Sequence, residues 1–223
     1  MNILIVYSHF EPSSFTAAMK NVVLEVLGRQ GHNVVLTDLY GQGFSPVAQK
    51  WDFVTTSGEH FNYMMEQKHA ARLSMAFSPD ITGEMQKVTN ADVIIFISPL
   101  WWSSVPAMLK GWFDRVLAMG FAWDSGKFYE NGLLRGKQAM MIMSAGHPAQ
   151  YYSAGGQHKA SVEQMLYPIN WGTLAFCGLN VHDPYVALNV LGSSDAQRDS
   201  TLKDLGFRLE HIVDSPQWLH FFS

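Results

Sequence analysis

Hydrophobic residues along this chain fall into short apolar runs separated by longer stretches with helical spacing. Residues 3–7 and 93–97 are continuous apolar runs rich in β-branched side chains, which predicts strands covered on both faces. Residues 33–39 predict a further strand. Residues 19–27 and 107–119 place apolar side chains three and four positions apart, which predicts amphipathic helices. The alternation predicts parallel strands joined by right-handed helical crossovers.

The second half of the chain repeats this alternation. Residues 138–143 predict a fourth strand, a helix follows, and a last strand is predicted near residues 183–186. Residues 193–213 are expected to form a closing amphipathic helix. Five strands alternating with helices predict an α/β protein with a doubly wound parallel sheet in the flavodoxin-like order 2-1-3-4-5. We expect one domain over residues 1–213 and a tail at 214–223.

The loop after the first predicted strand is rich in hydroxyl groups. Ser13, Ser14 and Thr16 lie directly before a predicted helix. Hydroxyl side chains there can cap the helix, and the free backbone N–H groups of its first turn can hold a phosphate. Capping alone explains one serine, but it explains the three hydroxyls together less readily. The two commonest glycine-rich nucleotide loops are absent from the sequence.

The loop after the third predicted strand holds two adjacent tryptophans, Trp101 and Trp102. Pro99 ends that strand because proline lacks the N–H that a ladder needs, and Pro106 suits the first turn of the next helix. In an open α/β sheet, ligands bind at the carboxyl ends of the strands. An indole pair there favours a flat aromatic ligand. The alternative is that the tryptophans only fill a gap between the loop and the core.

The loop after the fourth predicted strand, from Ser144 to His158, combines glycines with hydroxyl and imidazole groups. His158 is a candidate for catalysis, and the alternative is that it only caps the following helix. In the predicted strand order, the loops after strands one, three and four are neighbours. Their convergence predicts one ligand site at that edge of the sheet, although no single loop is decisive.

Composition limits the functional classes. The chain has 223 residues, of which 48% are hydrophobic and 15% charged, with a net charge of −4, so no basic face is expected for nucleic acid or an anionic membrane. The single cysteine, Cys177, excludes an internal disulfide and is expected to be a buried apolar side chain. The sequence shows neither a signal-peptide pattern nor an apolar run long enough to span a bilayer. We therefore expect a soluble cytoplasmic protein.

Several segments together resemble the NAD(P)H:quinone oxidoreductase family of flavodoxin-like flavoproteins. The most specific runs from Pro99-Leu100 through Val105-Pro106-Ala107-Met108-Leu109-Lys110-Gly111-Trp112-Phe113-Asp114-Arg115-Val116. The others are Ser8-His9 with Ser14-Phe15, Asp38-Leu39-Tyr40, Ser78-Pro79-Asp80-Ile81, Gly120-Phe121-Ala122, Tyr152 with His158, Tyr167-Pro168-Ile169 and Phe176-Cys177-Gly178. The resemblance covers about residues 1–213. It implies an enzyme that binds FAD, with FMN as the alternative, and takes electrons from NAD(P)H.

The resemblance also implies which residues contact the cofactor and the substrate. The phosphate and ribityl portions are expected at His9, Phe15 and Thr16, with Ser14 beside them, Arg198 at the adenosine end and Asn62 near the flavin. The ring is expected to lie between Pro99, Leu100, Trp101, Trp102 and Ser103 on one edge and Ser144, Ala145, Gly146 and His147 on the other. The substrate is expected to contact Trp123, Asp124 and Ser125, together with Phe176 from a second subunit.

The mechanism implied by the resemblance has two half-reactions in one site. NAD(P)H gives a hydride to flavin N5 and leaves; a quinone, or an azo or nitro compound of similar shape, then takes its place and receives the hydride. Tyr152 and His158 correspond to the family pair that hydrogen-bonds the ring and shuttles a proton, which suits an imidazole. A homodimer is implied, with apolar surface expected from Trp112, Phe113 and Phe176. We expect no metal, nucleic acid or membrane partner.

The chain departs from the family pattern, and other classes stay open. A Gly-Gly pair of the family is Gly146-His147 here, and Ser103 and Ser125 stand where aromatic residues are usual. The second class is a flavoprotein regulatory subunit of a potassium-efflux system, and the third is a one-electron carrier like flavodoxin. The long, weakly periodic segment 40–77 favours the FAD-binding enzyme over the regulator. A net charge of only −4 disfavours the carrier.

Overall fold

The computed structural model describes residues 1–57 and 60–210. Its strands are β1 (Asn2–Tyr7), β2 (Asn33–Asp38), β3 (Val93–Pro99), β4 (Gln138–Ser144), β5 (Asn180–Val181) and β6 (Tyr185–Ala187). Its α-helices are α1 (Phe15–Arg29), α2 (Tyr63–Arg72), α3 (Pro79–Asn90), α4 (Ala107–Val116), α5 (Val162–Ile169) and α6 (Asp195–Glu210). A π-helical segment, Asn170–Ala175, continues α5. The predicted end of the last helix at residue 213 and the tail at 214–223 lie outside the described residues.

The strands form one parallel sheet in the order β2-β1-β3-β4-β5, with β6 also paired to β4. This confirms the predicted flavodoxin-like order. The last strand, predicted as one piece, is divided into two. Val181 pairs with Ala139 and Tyr185 pairs with Ile142, so this edge has one more residue than β4 between the two pairs. Such a bulge interrupts pairing, and Pro184 within it has no N–H to offer.

Helices cover both faces of the sheet. In β3, Ile94 and Phe96 pack in the cluster formed with α3, α4 and α5, whereas Ile95 and Ile97 pack with α1 and α6. All residues of β3 are buried, which confirms a strand covered on both faces. Cys177 is buried as expected, and burial raises the pKa of its thiol to about 12. Within the described ranges, no helix is long and apolar enough to cross a membrane.

Helix α4 presents its apolar face to the sheet and leaves little of it for a partner. Trp112 and Phe113 are 0% and 3% exposed, and their rings lie 5.6 and 5.2 Å from the ring of Phe96. The expectation that these two residues supply apolar surface is therefore wrong, because the core uses them. The helix also ends at Val116, earlier than the predicted position 119.

Candidate active site

Side-chain and backbone hydrogen bonds join three loops that are far apart in the sequence. Thr16 Oγ1 and Ser144 Oγ are 2.8 Å apart, and both side chains are buried. The N–H of Leu100 donates to the carbonyl of Ser144 at 2.8 Å, and the N–H of Ser8 donates to the carbonyl of Ile97 at 2.9 Å. The loops after β1, β3 and β4 therefore meet at the carboxyl edge of the sheet.

The hydroxyl groups of the β1–α1 loop have partners within the protein. Ser14 Oγ accepts the N–H of Ala17 at 3.1 Å and caps α1, while Ser13 Oγ donates to Glu11 Oε1 at 2.7 Å. Hydrogen bonds from the backbone N–H and hydroxyl of Ser13 lower the pKa of the Glu11 carboxyl. A carboxylate disfavours a phosphate beside Ser13. The first turn of α1 contains no acidic residue, so its backbone N–H groups suit an anion better than Ser13 beside Glu11 does.

His9 and Phe10 bring two rings from this loop towards Trp101. His9 Nδ1 accepts the N–H of Glu11 at 3.0 Å, so a neutral ring carries its proton on Nε2 and can donate there. Phe10 stacks on His9 with ring centroids 5.1 Å apart, and Trp101 lies 6.0 Å from His9. Phe10 is 63% exposed and was not among the predicted contacts. Its place beside His9 in a loop after a strand is the signal that would have indicated it.

Trp101 and Trp102 lie in a tight turn at the end of β3. Trp101 and Ser104 exchange two backbone hydrogen bonds, both 3.0 Å long. Trp102 and Ser103 have φ values of 51° and 56°, so both central residues are left-handed, as in a type I′ turn. Trp102 is 101% exposed and Trp101 40%; the alternative that both only fill a gap is therefore wrong. Strain of roughly 1–3 kcal/mol at such residues is typical of functional sites.

Tyr152 and His158, the predicted catalytic pair, are in direct contact after β4. Their rings stack with centroids 4.7 Å apart. Burial raises the pKa of the Tyr152 phenol, and a backbone hydrogen bond from His147 partly offsets this. The alternative that His158 caps the next helix is wrong, because Ser161 Oγ accepts the N–H of Gln164 at 3.2 Å and caps α5.

Arg198 reaches the same edge through the loop after β6. Its Nη2 donates to the carbonyl of Val190 at 3.1 Å, and the N–H of Val190 donates to the carbonyl of Ala145 at 3.1 Å. The N–H of Asn189 donates to the carbonyl of His147 at 2.8 Å. Arg198 Nε is buried without a hydrogen-bond partner among the described residues. A guanidinium with an unused donor suits the anionic part of a nucleotide.

Two residues predicted to contact substrate belong to a separate aromatic group. Trp123 and Phe176 meet edge to face with ring centroids 5.4 Å apart, and Phe128 stacks on Phe176 at 5.4 Å. In the part of the chain that the structure describes, no ring contact or hydrogen bond joins Trp123 or Phe176 to Trp101 or His158. Their contact with substrate stays a prediction.

Asp124, Ser125 and Asn62 are engaged in local structure. The carboxylate of Asp124 accepts Lys68 Nζ at 2.6 Å and the N–H of Ser125 at 2.7 Å, and these two hydrogen bonds lower the pKa of Asp124. Asn62 Oδ1 accepts the N–H of Met65 at 3.3 Å and caps α2. These contacts fix the loops that carry the three side chains. Their roles towards substrate and flavin stay predictions.

The groups gathered at the carboxyl edge match the parts of a flavin nucleotide. Trp101 and Trp102 offer exposed flat surface to a ring system. The first turn of α1 and the unused Nε of Arg198 offer donors to phosphate, while Tyr152 and His158 offer polar groups to the ring. Among residues 1–57 and 60–210, no group of three or more His, Cys, Asp or Glu side chains is placed to hold a metal ion.

The fold and this edge define a flavodoxin-like protein: a family model described as a flavodoxin-like fold matches residues 1–207. The chain belongs to that family and, within it, to the NAD(P)H:quinone oxidoreductases. It is 42% identical over 212 residues to human ribosyldihydronicotinamide dehydrogenase (quinone), covering 94% of this chain and 91% of the relative. It is 38% identical over 213 residues to NAD(P)H dehydrogenase (quinone) 1 of Cavia porcellus, covering 95% and 77%. A Klebsiella pneumoniae structure described as a candidate quinone reductase is 33% identical, with a TM-score of 0.94 over 100% of this chain and 88% of that one.

Proposed function

We propose that the protein is a flavin-dependent NAD(P)H:quinone oxidoreductase that holds FAD at the carboxyl edge of its sheet. The observation that supports this best is the meeting of three loops there. The exposed Trp101 and Trp102 come from one loop and the Tyr152–His158 pair from another. The hydrogen bond between the hydroxyls of Thr16 and Ser144 connects the loop after β1 to the loop after β4. Relatives named as quinone dehydrogenases at 36–42% identity support the chemistry.

Each part of the site has a distinct task in this proposal. A bound flavin would supply the hydride-accepting and hydride-donating centre. Trp101 and Trp102 would exclude water from one side of the ring and fix its plane. His9, whose Nδ1 is already occupied by a backbone N–H, would donate from Nε2 to the polar chain of the cofactor. Arg198 would neutralise part of the phosphate charge.

Tyr152 and His158 would handle the charge that develops during reduction. Because burial raises the pKa of the Tyr152 phenol, this group keeps its proton at neutral pH and can donate a hydrogen bond. His158, stacked against it, would exchange a proton with the site. A preorganised donor to a developing negative charge is worth roughly 2.7–4 kcal/mol in the strongest cases.

The substrate side is proposed to be completed by a second copy of the chain. Trp123 and Phe176 are half-buried and contact each other, with no ring contact or hydrogen bond to Trp101 or His158 among the described residues, and we propose that their exposed parts face the partner. A surface cavity of about 540 Å³ lies beside Trp123, with Phe61 and Met64 among its apolar walls. Light scattering on the purified protein tests this directly, and a monomer at micromolar concentration would contradict it.

The first experiment is to release and identify the bound cofactor. We expect a yellow protein that releases FAD on heating, identified by its absorption spectrum and mass; release of FMN would favour the alternative cofactor. Colourless protein that does not bind added flavin would contradict the proposal. NADH, NADPH and a ribosyl dihydronicotinamide should each be offered with a quinone, because the names of the relatives differ in the electron donor.

The same assay separates the remaining classes. Donor oxidation that depends on added quinone supports the enzyme, and turnover of azo or nitro compounds would extend its acceptor range. Co-purification with a membrane transporter, without quinone-dependent turnover, would support a regulatory subunit, which the relatives do not favour. Cell fractionation tests the cytoplasmic location that we propose for the enzyme.

A further inference from the structure

His147, which stands where the family resemblance implies a glycine, contacts His158 directly. The Nδ1 of His147 and the Nε2 of His158 are 3.0 Å apart. Their ring centroids are 5.1 Å apart with an interplanar angle of 34°. This geometry is a hydrogen bond between two imidazoles, which links an added histidine to the predicted catalytic one.

Main-chain hydrogen bonds and neighbouring rings hold both histidines in place. The carbonyl of His147 accepts the N–H of Asn189 at 2.8 Å, and the N–H of His158 donates to the carbonyl of Tyr151 at 3.0 Å. The Tyr152 ring stacks on His158 at 4.7 Å, and the Tyr151 ring lies 5.1 Å from His147. The bond between the imidazoles is therefore supported from the end of β4, from the following loop and from the loop after β6.

The surroundings of the pair contain phenols and no carboxylate contact. Tyr151 and Tyr152 are the titratable groups against the two rings, and Lys159 follows His158 in the chain. The salt bridges and hydrogen bonds of the described ranges give neither imidazole a carboxylate partner. His147 is exposed and His158 is half-buried. The pair thus extends from solvent into the site.

Only one proton fits between the two facing nitrogens, because two N–H groups pointing at each other at 3.0 Å would repel. In the neutral pair one ring donates and the other accepts. If His147 Nδ1 carries the bridging proton, His158 Nε2 accepts it and the proton of the His158 ring is on Nδ1. The Nε2 of His147 then has no proton. A shift of the bridging proton reverses this arrangement.

We propose that His147 is a relay residue that exchanges the proton of His158 with solvent. In the forward shift, His147 Nε2 takes a proton from water, the bridging proton moves from His147 Nδ1 to His158 Nε2, and His158 Nδ1 releases a proton to an acceptor in the site. Two N–H bonds form and two break, so both rings stay neutral. The reverse shift restores the pair. The half-reaction that adds negative charge to the site would drive the forward shift. The half-reaction that removes this charge would drive the reverse shift.

This inference rests on the proposed function, and its first test does not need enzyme activity. Nitrogen-15 NMR of histidine-labelled protein should show the ring nitrogens of His158 in a shared hydrogen bond. His147→Ala should change the chemical shifts of His158, whereas His32→Ala, near the amino-terminal edge of the sheet, should not. Identical His158 shifts in wild type and His147→Ala would overturn the relay because the bond would be absent.

The second test measures the rate of flavin reduction in stopped flow. General acid–base groups contribute typically 10²–10⁴-fold, so we expect loss of the relay partner to slow the reaction by about tenfold. Both His147→Ala and His147→Gln should show the loss, and added imidazole should restore the rate of His147→Ala but not that of His147→Gln, whose side chain fills the space.

The outcomes separate the relay from the proposed function. Flavin-loaded His147→Ala with the wild-type rate would overturn the relay and leave the quinone reductase proposal intact. A slower rate that imidazole does not restore would show a structural role and overturn the relay as well. Wild-type protein without flavin binding or donor oxidation would overturn both.

Discussion

Arg115 binds the buried carboxylate of Asp52 through two hydrogen bonds, from Nε to Oδ2 at 3.1 Å and from Nη2 to Oδ1 at 2.7 Å. Its Nη1 donates to the carbonyl of Ser45 at 2.8 Å and to Asp80 Oδ2 at 2.7 Å. One turn earlier on α4, a Cβ on Gly111 would lie 2.0 Å from the carbonyl oxygen of Pro46. Two residues of the most specific sequence motif therefore anchor the 40–77 segment rather than contact a ligand.

Replacing Arg115 should destabilise the fold strongly. Arg115→Met leaves the carboxylate of Asp52, which is 0% exposed, without its cation, and breaking a buried pair in this way costs roughly 3–5 kcal/mol. The free energy of unfolding in urea measures the loss. Lys110→Met on the same helix is the matched control, because its pair with Asp114 is about half exposed and should contribute at most about 1 kcal/mol. Equal losses in the two variants would show that the Asp52 pair is not the anchor.

Trp102 should contribute to cofactor binding and not to stability. Trp102→Asn removes a side chain with no core contact and places a residue that tolerates positive φ in the turn. The flavin-free protein should keep or gain stability, while flavin affinity should fall by about 0.5–1.5 kcal/mol, or roughly two- to twelvefold. Fluorescence titration with flavin measures the affinity. Trp51→Asn, at another exposed tryptophan, should change neither quantity; unchanged affinity in Trp102→Asn would remove Trp102 from the site.

The sequence predicted the sheet because buried parallel strands leave a local signature. The apolar run around Ile95 is long enough to identify β3, and strand order then brings the loops after β1, β3 and β4 together. Contacts between distant side chains leave no such signature. The bond between Thr16 and Ser144 spans 128 positions, and neither periodicity nor turn chemistry indicates it. The burial of Trp112 was predictable from helical spacing. The further expectation that Trp112 lies at a subunit interface was wrong, because the same face of the helix cannot pack against the core and against a partner.

The division of the last strand was hidden for a similar reason. Residues 183–186 were predicted as one strand, although His182, Asp183 and Pro184 separate the apolar Val181 from Tyr185, Val186 and Ala187. Pro184 indicated a break, but the extra residue opposite β4 depends on pairing that only the folded sheet determines. The same bulge places His182 in the interior, where its Nε2 lies 2.8 Å from Gln138 Oε1. Because an amide oxygen only accepts, Nε2 carries the proton.

His182 should make the protein less stable in mild acid. Burial, together with the positive charge of Arg208, lowers the pKa of the His182 imidazole to about 4. The unfolded chain protonates this ring near its ordinary pKa of 6.5, so below that pH the unfolded state binds more protons. The stability contributed by the neutral ring is full above pH 6.5 and is lost as the pH falls towards 4, by up to roughly 3 kcal/mol at about 1.36 kcal/mol per pH unit.

Urea unfolding between pH 7 and pH 4 measures this dependence. His182→Gln should show a smaller decrease over that interval than the wild type, whatever its stability at pH 7. The comparison uses the change with pH because the substitution itself disturbs packing. Parallel curves for the two proteins would exclude His182 as the titrating group.

His158→Gln should slow hydride transfer to the bound flavin by at least roughly tenfold, or about 1.4 kcal/mol of transition-state stabilisation. Glutamine keeps a polar side chain of similar reach but cannot exchange a proton as imidazole does. Stopped-flow flavin reduction measures the rate. His32→Gln is the control, since the His32 ring lies 3.4 Å from the terminal amine of Met1.

Tyr152→Phe should also slow the reaction. Because Tyr152 stacks on His158, the double variant should lose less than the product of the single losses, since residues that act as a unit are not additive. Fully multiplicative losses would mean that the two side chains act independently.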